Sequence, residues 1–318
     1  MWRKRNSPAT NTCTARGENV DLLHTTRALQ RRADVERGAG HRLALVPTMG
    51  ALHAGHLSLV EEARRRADRV WLSIFVNPTQ FNDSKDLAKY PRTLEEDLGK
   101  CRQAGVDLVF APTAAEMYPE GAQTCVDVGE LAHPLCGATR PGHFSGVTTV
   151  VAKLFLAAKP HVAVFGEKDF QQLAVIRRMT RDLLFDVEVV GAPTVRESDG
   201  LALSSRNVNL DPEARRQATV LVRSLETAER AIVAGERSAA ALLHGVEREI
   251  GKAPLAQIDY AQLRHPESLE PAPAVLEGPV LLALAVVFHS PEGADGASVR
   301  LIDNRILDPK PLSGGISP

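Results

Sequence analysis

The chain has 318 residues, 44% hydrophobic and 24% charged, a composition typical of a globular protein with about two domains of ~150 residues each. Its 38 basic and 39 acidic side chains almost cancel, which excludes a protein whose net charge attracts nucleic acid or acidic membranes. No apolar run approaches the ~20 residues that cross a bilayer, so we expect no membrane span.

The N-terminal residues show no recognisable targeting signal. Residues 1–19 are basic and lack the apolar core of a secretory signal, which favours a disordered tail. An Arg-rich, acid-poor start is also typical of an organellar transit peptide, but this one has no clear amphipathic period. Cys13, Cys101, Cys125 and Cys136 are irregularly spaced without a Cys-x-x-Cys pair, which indicates reduced thiols. We therefore expect a cytoplasmic protein.

Strand and helix patterns alternate over the first two thirds of the chain. A helical pattern over residues 20–36 precedes a strand over residues 42–46, which we expect Pro47 to break. The alternation predicts parallel strands with crossover helices, hence a doubly wound, Rossmann-like α/β domain over residues 20–194. Further predicted strands cover residues 70–76, 108–111, 162–165 and 187–190, and predicted helices cover residues 94–104, 147–158 and 173–184.

The pattern changes after residue 194. Two helices are predicted over residues 212–234 and 238–250, with Asp211 as a cap and Pro212 in the first helical position. Three strands follow, over residues 258–263, 280–288 and 299–302. Helices followed by consecutive strands predict a smaller α+β domain over residues 195–318, joined to the first domain through residues 196–211.

Two glycines and two histidines occupy the first predicted strand-to-helix turn. Ligands of doubly wound sheets bind beyond the carboxyl ends of the strands, and the free N–H groups of a helix N-terminus bind anions. Gly50 and Gly55 would let the backbone approach a phosphate, and His53 and His56, three residues apart, could donate to its oxygens. From the residues alone, two surface histidines remain an equal alternative. Zinc is disfavoured because no Cys or carboxylate stands nearby at a metal-ligand spacing.

The His53-Ala54-Gly55-His56 string resembles the His-x-Gly-His signature of nucleotidyltransferases related to class I aminoacyl-tRNA synthetases. The wider turn, residues 47–56, is similar to that of the pantoate–β-alanine ligases. Further strings resemble that family in the same order: residues 75–81, 90–93, 140–147, 166–172, 198–207 and 300–304. The resemblance extends over residues 20–307.

The resemblance implies an ATP-dependent condensation of (R)-pantoate with β-alanine, with Mg²⁺ accompanying ATP. ATP would adenylate the pantoate carboxylate and release pyrophosphate, and the amine would then displace AMP. A carboxylate beside a triphosphate needs cations. Lys168 follows a predicted strand directly, and Arg206 lies on the interdomain connection, where both could provide that charge. The family also implies a homodimer formed through the N-terminal domain.

The family's site residues can be placed on this sequence. The implied catalytic residues are His53, Lys168, Arg206 and, as the proton donor, His56. The implied ATP-binding residues are Met49, Gly50, Ala51, Leu52, His53, Ala54, Gly55, His56, Gly166, Glu167, Lys168, Asp169, Val195, Leu203, Ser204, Ser205 and Arg206. Pantoate would contact Gln80, Gln172, Met49 and Asn77, and Gln80 would also contact β-alanine.

The chemistry favours amides for pantoate, because an arginine salt bridge would lower the nucleophilicity of the carboxylate that must react. Amides satisfied by the backbone are the structural alternative for Gln80, Gln172 and Asn77. Asp97 is a candidate Mg²⁺ ligand, although an acid in the first turn of a helix also complements the helix dipole. No base for β-alanine stands out.

Two other functions can be weighed against this one. An adenylyltransferase that leaves AMP on a phosphorylated acceptor would need a second phosphate site and no amine site, and Gln171, Gln172 and Gln80 argue against it. Residues 64–66 are consecutive arginines, but they point in different directions and nearby acids offset them, so we expect no nucleic-acid partner. Lys85 departs from the family, which tends to carry an acid there.

Overall fold

The computed structural model describes residues 20–82, 87–88, 90–291 and 298–309. The predicted tail, Cys13 and Lys85 lie outside the described residues. The α-helices are α1 (Thr26–Gly38), α2 (Ala54–Arg64), α3 (Leu94–Ala104), α4 (Ala114–Met117), α5 (Cys136–Thr139), α6 (His143–Ala158), α7 (Phe170–Asp182), α8 (Pro212–Gln217), α9 (Val220–Val233) and α10 (Ala239–Ile250). The strands are β1 (Asp21–Leu23), β2 (Leu43–Thr48), β3 (Arg69–Ile74), β4 (Leu108–Phe110), β5 (Val162–Gly166), β6 (Glu188–Ala192), β7 (Ala256–Arg264), β8 (Val280–Phe288) and β9 (Val299–Leu307).

In the described part of the chain, six parallel strands form one sheet in the order β1-β4-β3-β2-β5-β6. This confirms the predicted doubly wound, Rossmann-like architecture. The chain leaves β2 toward β3 and returns on the other side of β2 as β5, so the strand order reverses between β2 and β5. Ligands of such sheets bind at this reversal. The turn after β2 and the turn after β5 therefore flank the expected site.

Two local predictions in this domain were wrong. The helical pattern over residues 20–36 includes β1, which pairs with β4, and the helix begins only after Thr25 caps it. A three-residue edge strand is too short to show a period of its own, and its pairing with β4 decides its conformation. Pro47 does not end β2, because β5 pairs with β2 only at Ala44 and Leu45 and the prolyl residue lies beyond that ladder.

The second sheet is antiparallel, in the order β7-β8-β9, as expected for the smaller α+β region. One face packs on α9 and α10 in a core that includes Leu225, Val246 and Leu284. On the other face, Tyr260 and Ile302 contact the core of the parallel-sheet region. The helix predicted over residues 212–234 is two helices, α8 and α9, because the chain tightens around Ala218 and Thr219, where Leu221 N donates to Ala218 O.

Strand β9 ties the second sheet to the first. Arg196 donates two hydrogen bonds to the fully buried Asp303 carboxylate, at 2.7 and 3.0 Å. The Asn304 amide donates to the backbone carbonyls of Glu167 and Lys168, at 3.0 and 2.9 Å. The turn after β5 therefore takes its position partly from the last strand of the chain.

We expect Asp303→Asn to lower the free energy of unfolding by about 3 kcal/mol, because it leaves the Arg196 guanidinium without its buried carboxylate. Urea denaturation followed by circular dichroism measures this loss. Asp182→Asn is the matched control, since Asp182 pairs with Arg178 and both side chains are 50% exposed. Its cost should be below about 1 kcal/mol. Equal costs for the two variants would contradict a structural role for the buried pair.

Candidate active site

The turn after β2 is held by the carboxylate of Asp97. One oxygen accepts from Ala51 N at 2.9 Å and from the Thr93 hydroxyl, and the other accepts from Leu52 N at 2.8 Å. Gly50 has φ +84°, and a Cβ there would lie 3.0 Å from Ile74 and 3.1 Å from Asp97, so the turn requires glycine. The buried Asp97 is thus a backbone anchor, and its oxygens are already engaged by these donors. Its predicted contact with Mg²⁺ finds no support in this geometry.

His53 and His56 cap the helix that follows this turn. The Nδ1 atom of His53 accepts from Gly55 N at 3.1 Å, and the Nδ1 atom of His56 accepts from His53 N at 3.3 Å. The two rings lie 4.1 Å apart, centroid to centroid. Because both Nδ1 atoms act as acceptors, each neutral ring carries its proton on Nε2. The capping geometry leaves both Nε2–H groups available as donors.

Burial lowers the pKa of both histidines. For His56, burial, His53 and Lys168 together lower the pKa from 6.5 to about 3. For His53, burial, Lys168 and Lys100 lower it as well. The His56 ring is therefore neutral near pH 7 and offers its Nε2–H as a hydrogen-bond donor, and its predicted role as a proton donor stays a prediction. The Nδ1 contact with His53 N supports the same protonation state.

A cavity of about 770 Å³ lies between the turn after β5, helix α7 and the second sheet. It brings together predicted residues from both halves of the chain: Lys168, Asp169 and Gln172 from one, and Ser205 and Arg206 from the other. Its other lining residues are Phe81, Asn82, Tyr90, Pro91, Leu135, Cys136, Arg140, His143, Phe144, Phe170, Gln171, Asn209, Tyr260, Leu281, Ala283, Ser298, Val299, Arg300, Ile302, Asp303 and Asn304. The cavity thus has the mixed polar and apolar lining of a small-molecule site.

The charges of this cavity are predominantly positive. Lys168 Nζ lies 3.5 Å from Asp169 Oδ2, and Arg206 is exposed with no acidic partner among the residues the structure describes. Burial would raise the pKa of Asp169, but Lys168 and Arg206 outweigh it and hold that pKa below its ordinary value. An anionic ligand would find cations here without having to displace a strong ion pair.

The remaining predicted ATP residues do not line this cavity, and several of them contact one another. Leu203 Cβ is 3.8 Å from the position that a side chain at Gly55 would occupy. Leu203 N donates to Val195 O at 2.9 Å, and Ser204 Oγ accepts from Arg206 N at 3.2 Å. The interdomain connection therefore runs over the turn that carries the two histidines. This adjacency matches the predicted grouping, although direct contacts with ATP stay predictions.

Gln80 and Met49 also lie beside the cavity, in contact with each other. Gln80 Nε2 donates to Met49 Sδ at 3.1 Å, and Gln80 Oε1 accepts from Asn77 Nδ2 at 3.1 Å. The buried Asn77 also donates to Gly146 O and accepts from the hydroxyls of Thr79 and Tyr118. All four hydrogen-bonding positions of the Asn77 amide are used internally. The geometry therefore favours Asn77 as a support for Gln80 over the predicted direct contact with pantoate.

The adjacent glutamines Gln171 and Gln172 have different environments. Gln171 is buried, accepts from Cys136 N and donates to the carbonyls of Leu131 and Pro134. Gln172 lines the cavity, and its side chain has no hydrogen-bond partner among the described residues. Backbone groups therefore satisfy the amide of Gln171, whereas Gln172, for which that structural alternative was raised, keeps its amide free for a ligand.

The comparison with known families decides the class of protein. Residues 21–306 match the family described as pantoate-beta-alanine ligase. The chain belongs to the pantoate–β-alanine ligase family. It is 53% identical to the pantothenate synthetase of Geobacter sulfurreducens over 288 residues, which are 91% of this chain and 98% of that protein. It is 48% identical to the pantothenate synthetase of Salinibacter ruber over 299 residues, 92% of this chain and 99% of that one.

Solved structures agree with this ligase assignment. The crystal structure of pantothenate synthetase from Thermus thermophilus superposes with a TM-score of 0.81 at 48% identity, covering 92% of this chain and 100% of that one. The pantoate-beta-alanine ligase of Francisella tularensis, solved with beta-gamma ATP and beta-alanine, superposes with a TM-score of 0.72 at 31% identity, with coverages of 92% and 100%. These structures share the Rossmann-like fold of this chain, and the family match and the curated relatives identify it as a ligase.

Two further observations bear on the ligase's surroundings. Within residues 20–82, 87–88, 90–291 and 298–309, no group of three or more His, Cys, Asp or Glu side chains is arranged to hold a metal ion. Over the same described ranges, none of the helices combines the length and apolarity needed to cross a membrane.

Sequence reasoning gave no role to Lys100, Arg140 or His143. Lys100 Nζ donates to Leu52 O at 2.6 Å, and Arg140 and His143 both donate to Gln80 O, at 3.0 and 2.8 Å. Arg140 and His143 belong to the string over residues 140–147 that resembles the family. That resemblance could have indicated a role for both residues. Lys100 also pairs with Glu96 one helical turn earlier, at 2.6 Å, but nothing in the sequence indicates its contact with Leu52 O, because that backbone atom is distant in sequence.

We expect substitution of Gln171 to affect mainly the stability of the protein and substitution of Gln172 to affect mainly substrate binding. Gln171→Ala should lower the free energy of unfolding by about 2 kcal/mol, since it leaves Cys136 N and two carbonyls without partners. Gln172→Ala should leave stability within about 0.5 kcal/mol and raise the KM for pantoate about tenfold. Thermal melting and initial-rate kinetics measure the two effects. A larger stability loss for Gln172→Ala than for Gln171→Ala would overturn this division.

We also expect stability to fall as the pH drops below 6.5. The unfolded chain takes up protons on its histidines there, whereas folded His56 resists protonation until a pKa of about 3 and folded His143, lowered by burial, until about 4. Each such histidine should cost ~1.4 kcal/mol per pH unit below its unfolded pKa. In urea denaturation at pH 6 and pH 5, His56→Asn should lose less stability on acidification than the parent. An unchanged slope would contradict a neutral His56.

Proposed function

We propose that the chain makes pantothenate from (R)-pantoate, β-alanine and ATP through a pantoyl adenylate, with release of pyrophosphate and AMP. The observation that carries the proposal is the cavity that joins Lys168, Gln172 and Arg206, beside a helix N-terminus whose two histidines present Nε2–H groups. Family membership and the Francisella structure with beta-gamma ATP and beta-alanine support the substrate classes.

In the first step, a pantoate carboxylate oxygen attacks the α-phosphorus of ATP. The new C–O–P linkage forms as the bond to pyrophosphate breaks, and pyrophosphate leaves with that electron pair. Lys168, Arg206 and the Nε2–H groups of His53 and His56 would stabilise the charge that develops on the phosphoryl oxygens. The free amide of Gln172 and the amide of Gln80 would hold pantoate without neutralising the carboxylate that reacts.

In the second step, the neutral amine of β-alanine attacks the activated carbonyl. The C–N bond forms, the C–O bond to AMP breaks, and AMP leaves with its electron pair. Starting from the ammonium form of β-alanine, two protons are released to water. The cationic lining of the cavity favours the neutral amine, because a positive charge is disfavoured beside Lys168 and Arg206. The smaller region, residues 195–318, would act as the lid that excludes water.

The oxygen ligands in the cavity suit an Mg²⁺ ion that binds together with ATP rather than one held by the protein alone. Mg²⁺ is usually bound by substrate phosphates, waters and one or two carboxylates. Asp169 is half exposed in the cavity and its pKa is held low by Lys168 and Arg206, so it can supply one such carboxylate. When bound, Mg²⁺ would neutralise phosphate charge.

We expect the ligase to catalyse exchange of labelled pyrophosphate into ATP that requires pantoate and does not require β-alanine. Lys168→Met should slow this exchange about 100-fold, because it removes a cation that faces the transferred phosphoryl group. Lys252→Met is the control, since Lys252 is exposed and pairs with Glu249 far from the cavity. Exchange without pantoate, or none by folded protein, would reject the adenylate scheme.

The homodimer that the family implies stays a proposal. Size-exclusion chromatography with light scattering would test it: a dimer has twice the 34.4 kDa mass of the chain. A monomer at assay concentrations would overturn it.

A further inference from the structure

The cavity is lined by one more cationic side chain than the proposed reaction with ATP uses. Two of its charged residues are already paired: Arg300 with Asp259 at 2.7 Å, and Asp303 with Arg196. Among the described lining residues, this leaves Arg140, Lys168 and Arg206 facing the single carboxylate of Asp169. Lys168 and Arg206 are assigned to ATP in the proposed function. Arg140 remains without an anionic partner among the residues that the structure describes.

Arg140 is held in place by neutral groups. Its Nη2 donates to Gln80 O at 3.0 Å, and its Nη1 lies 3.3 Å from His143 Nε2. His143 Nδ1 donates to the same Gln80 carbonyl at 2.8 Å, so its Nε2 is the acceptor for Arg140. Burial and Arg140 lower the pKa of His143 to about 4, which keeps this imidazole neutral. The guanidinium is thus oriented by two acceptors and keeps further N–H groups for a ligand.

The electrostatic setting favours an anion at Arg140. Burial and then Arg206 lower the pKa of Arg140 most, and Arg300 lowers it further, against the opposing effects of Cys136 and Asp169. A partly buried guanidinium without a carboxylate partner carries part of the desolvation cost of a buried charge, which an anionic ligand would offset. No described carboxylate pairs with this guanidinium. The planar fork of arginine binds a carboxylate, like a phosphate, through two parallel hydrogen bonds.

The reaction has two carboxylates, and they differ in what they require. The pantoate carboxylate must attack ATP, so an arginine salt bridge would weaken it, whereas the free amide of Gln172 does not. The β-alanine carboxylate keeps its charge throughout and never reacts. An arginine can hold it without reducing the nucleophilicity of the amine at the other end of the molecule. Arg140 contacts the backbone of Gln80, the residue expected beside both substrates.

We propose that Arg140 binds the carboxylate of the amine substrate and thereby selects short ω-amino acids over uncharged amines. This inference rests on the proposed function, whose first step it leaves unchanged. His143 acts as a positioning residue, because it contacts Arg140 and Gln80 and reaches the substrate only through them.

The test compares β-alanine with β-alaninamide, which has the same length and an uncharged carboxamide. With Arg140→Met we expect kcat/KM for β-alanine to fall about 10- to 100-fold, and kcat/KM for β-alaninamide to change less than about threefold. Pantoate-dependent pyrophosphate exchange, which needs no amine, should stay within about threefold of the parent. Arg140→Lys retains a positive charge, so it should preserve part of the preference for β-alanine. If Arg140→Met folds poorly, Arg140→Lys provides the test in its place.

Arg264→Met is the matched control. Arg264 is also a partly buried arginine bonded to neutral acceptors, Gln262 Oε1 and Leu269 O, and it does not line the cavity. Its variant should keep the parent preference for β-alanine.

An equal fall in kcat/KM for both amines in Arg140→Met would overturn the proposal, since Arg140 would then act only through Gln80. Loss of exchange in Arg140→Met would overturn it too, whereas absence of exchange in the parent would reject the proposed function itself.

Discussion

Hydrogen bonds to two backbone turns hold the site together. The turn after β2 is fixed by the Asp97 carboxylate, which accepts from Ala51 N and Leu52 N, and the turn after β5 is fixed by the Asn304 amide, which donates to the carbonyls of Glu167 and Lys168. The partners have opposite polarity because one turn presents N–H groups and the other presents carbonyls. Since β2 and β5 are neighbours, fixing both turns places the histidines and Lys168 at one edge of the sheet.

The two histidines combine a structural and a chemical task. Their Nδ1 atoms satisfy backbone N–H groups at the start of α2, which a serine or aspartate more commonly does. The same contacts leave the protons on Nε2, and burial beside Lys168 keeps the rings neutral. A capping aspartate would bring negative charge to the proposed phosphate site. Neutral imidazoles cap the helix and leave their Nε2–H groups available to donate to an anion.

Charge is distributed in the cavity according to what each substrate group must do. In the proposed reaction, cations would face the groups that stay anionic, and uncharged amides would face the carboxylate that reacts. Gly146 contributes to this arrangement, because a Cβ there would lie 2.5 Å from Thr79 O, so only glycine lets the chain before Gln80 approach α6 so closely. Asn77 then bonds both Gly146 O and Gln80, which sets the Gln80 side chain in contact with Met49.

Much of the architecture could be predicted from local patterns. The helix over residues 94–104 and the strand over residues 280–288 were predicted with the bounds now observed, because their periodicity is strong and their ends carry clear signals. β1 was missed because three residues show no period, and α8 and α9 were merged because Ala218 and Thr219 between them are neither glycine nor proline. The motifs around His53, Lys168 and Arg206 identified the family. They could not show that Gln171 is buried and that Gln172 lines the cavity, because a sequence does not report the burial of adjacent identical residues.

The sequence by itself determined the residue types of the site, the alternation of strands and helices, and the family. Only the tertiary structure decided that Asp97 anchors a turn, that Asn77 supports Gln80, that His56 is neutral and that Arg140 lacks an anionic partner among the described residues. The physical reason is that each of these roles depends on contacts with backbone atoms or on burial, created when distant segments pack together. Residue identity sets which bonds a side chain can form, and the fold sets which of them are left for a substrate.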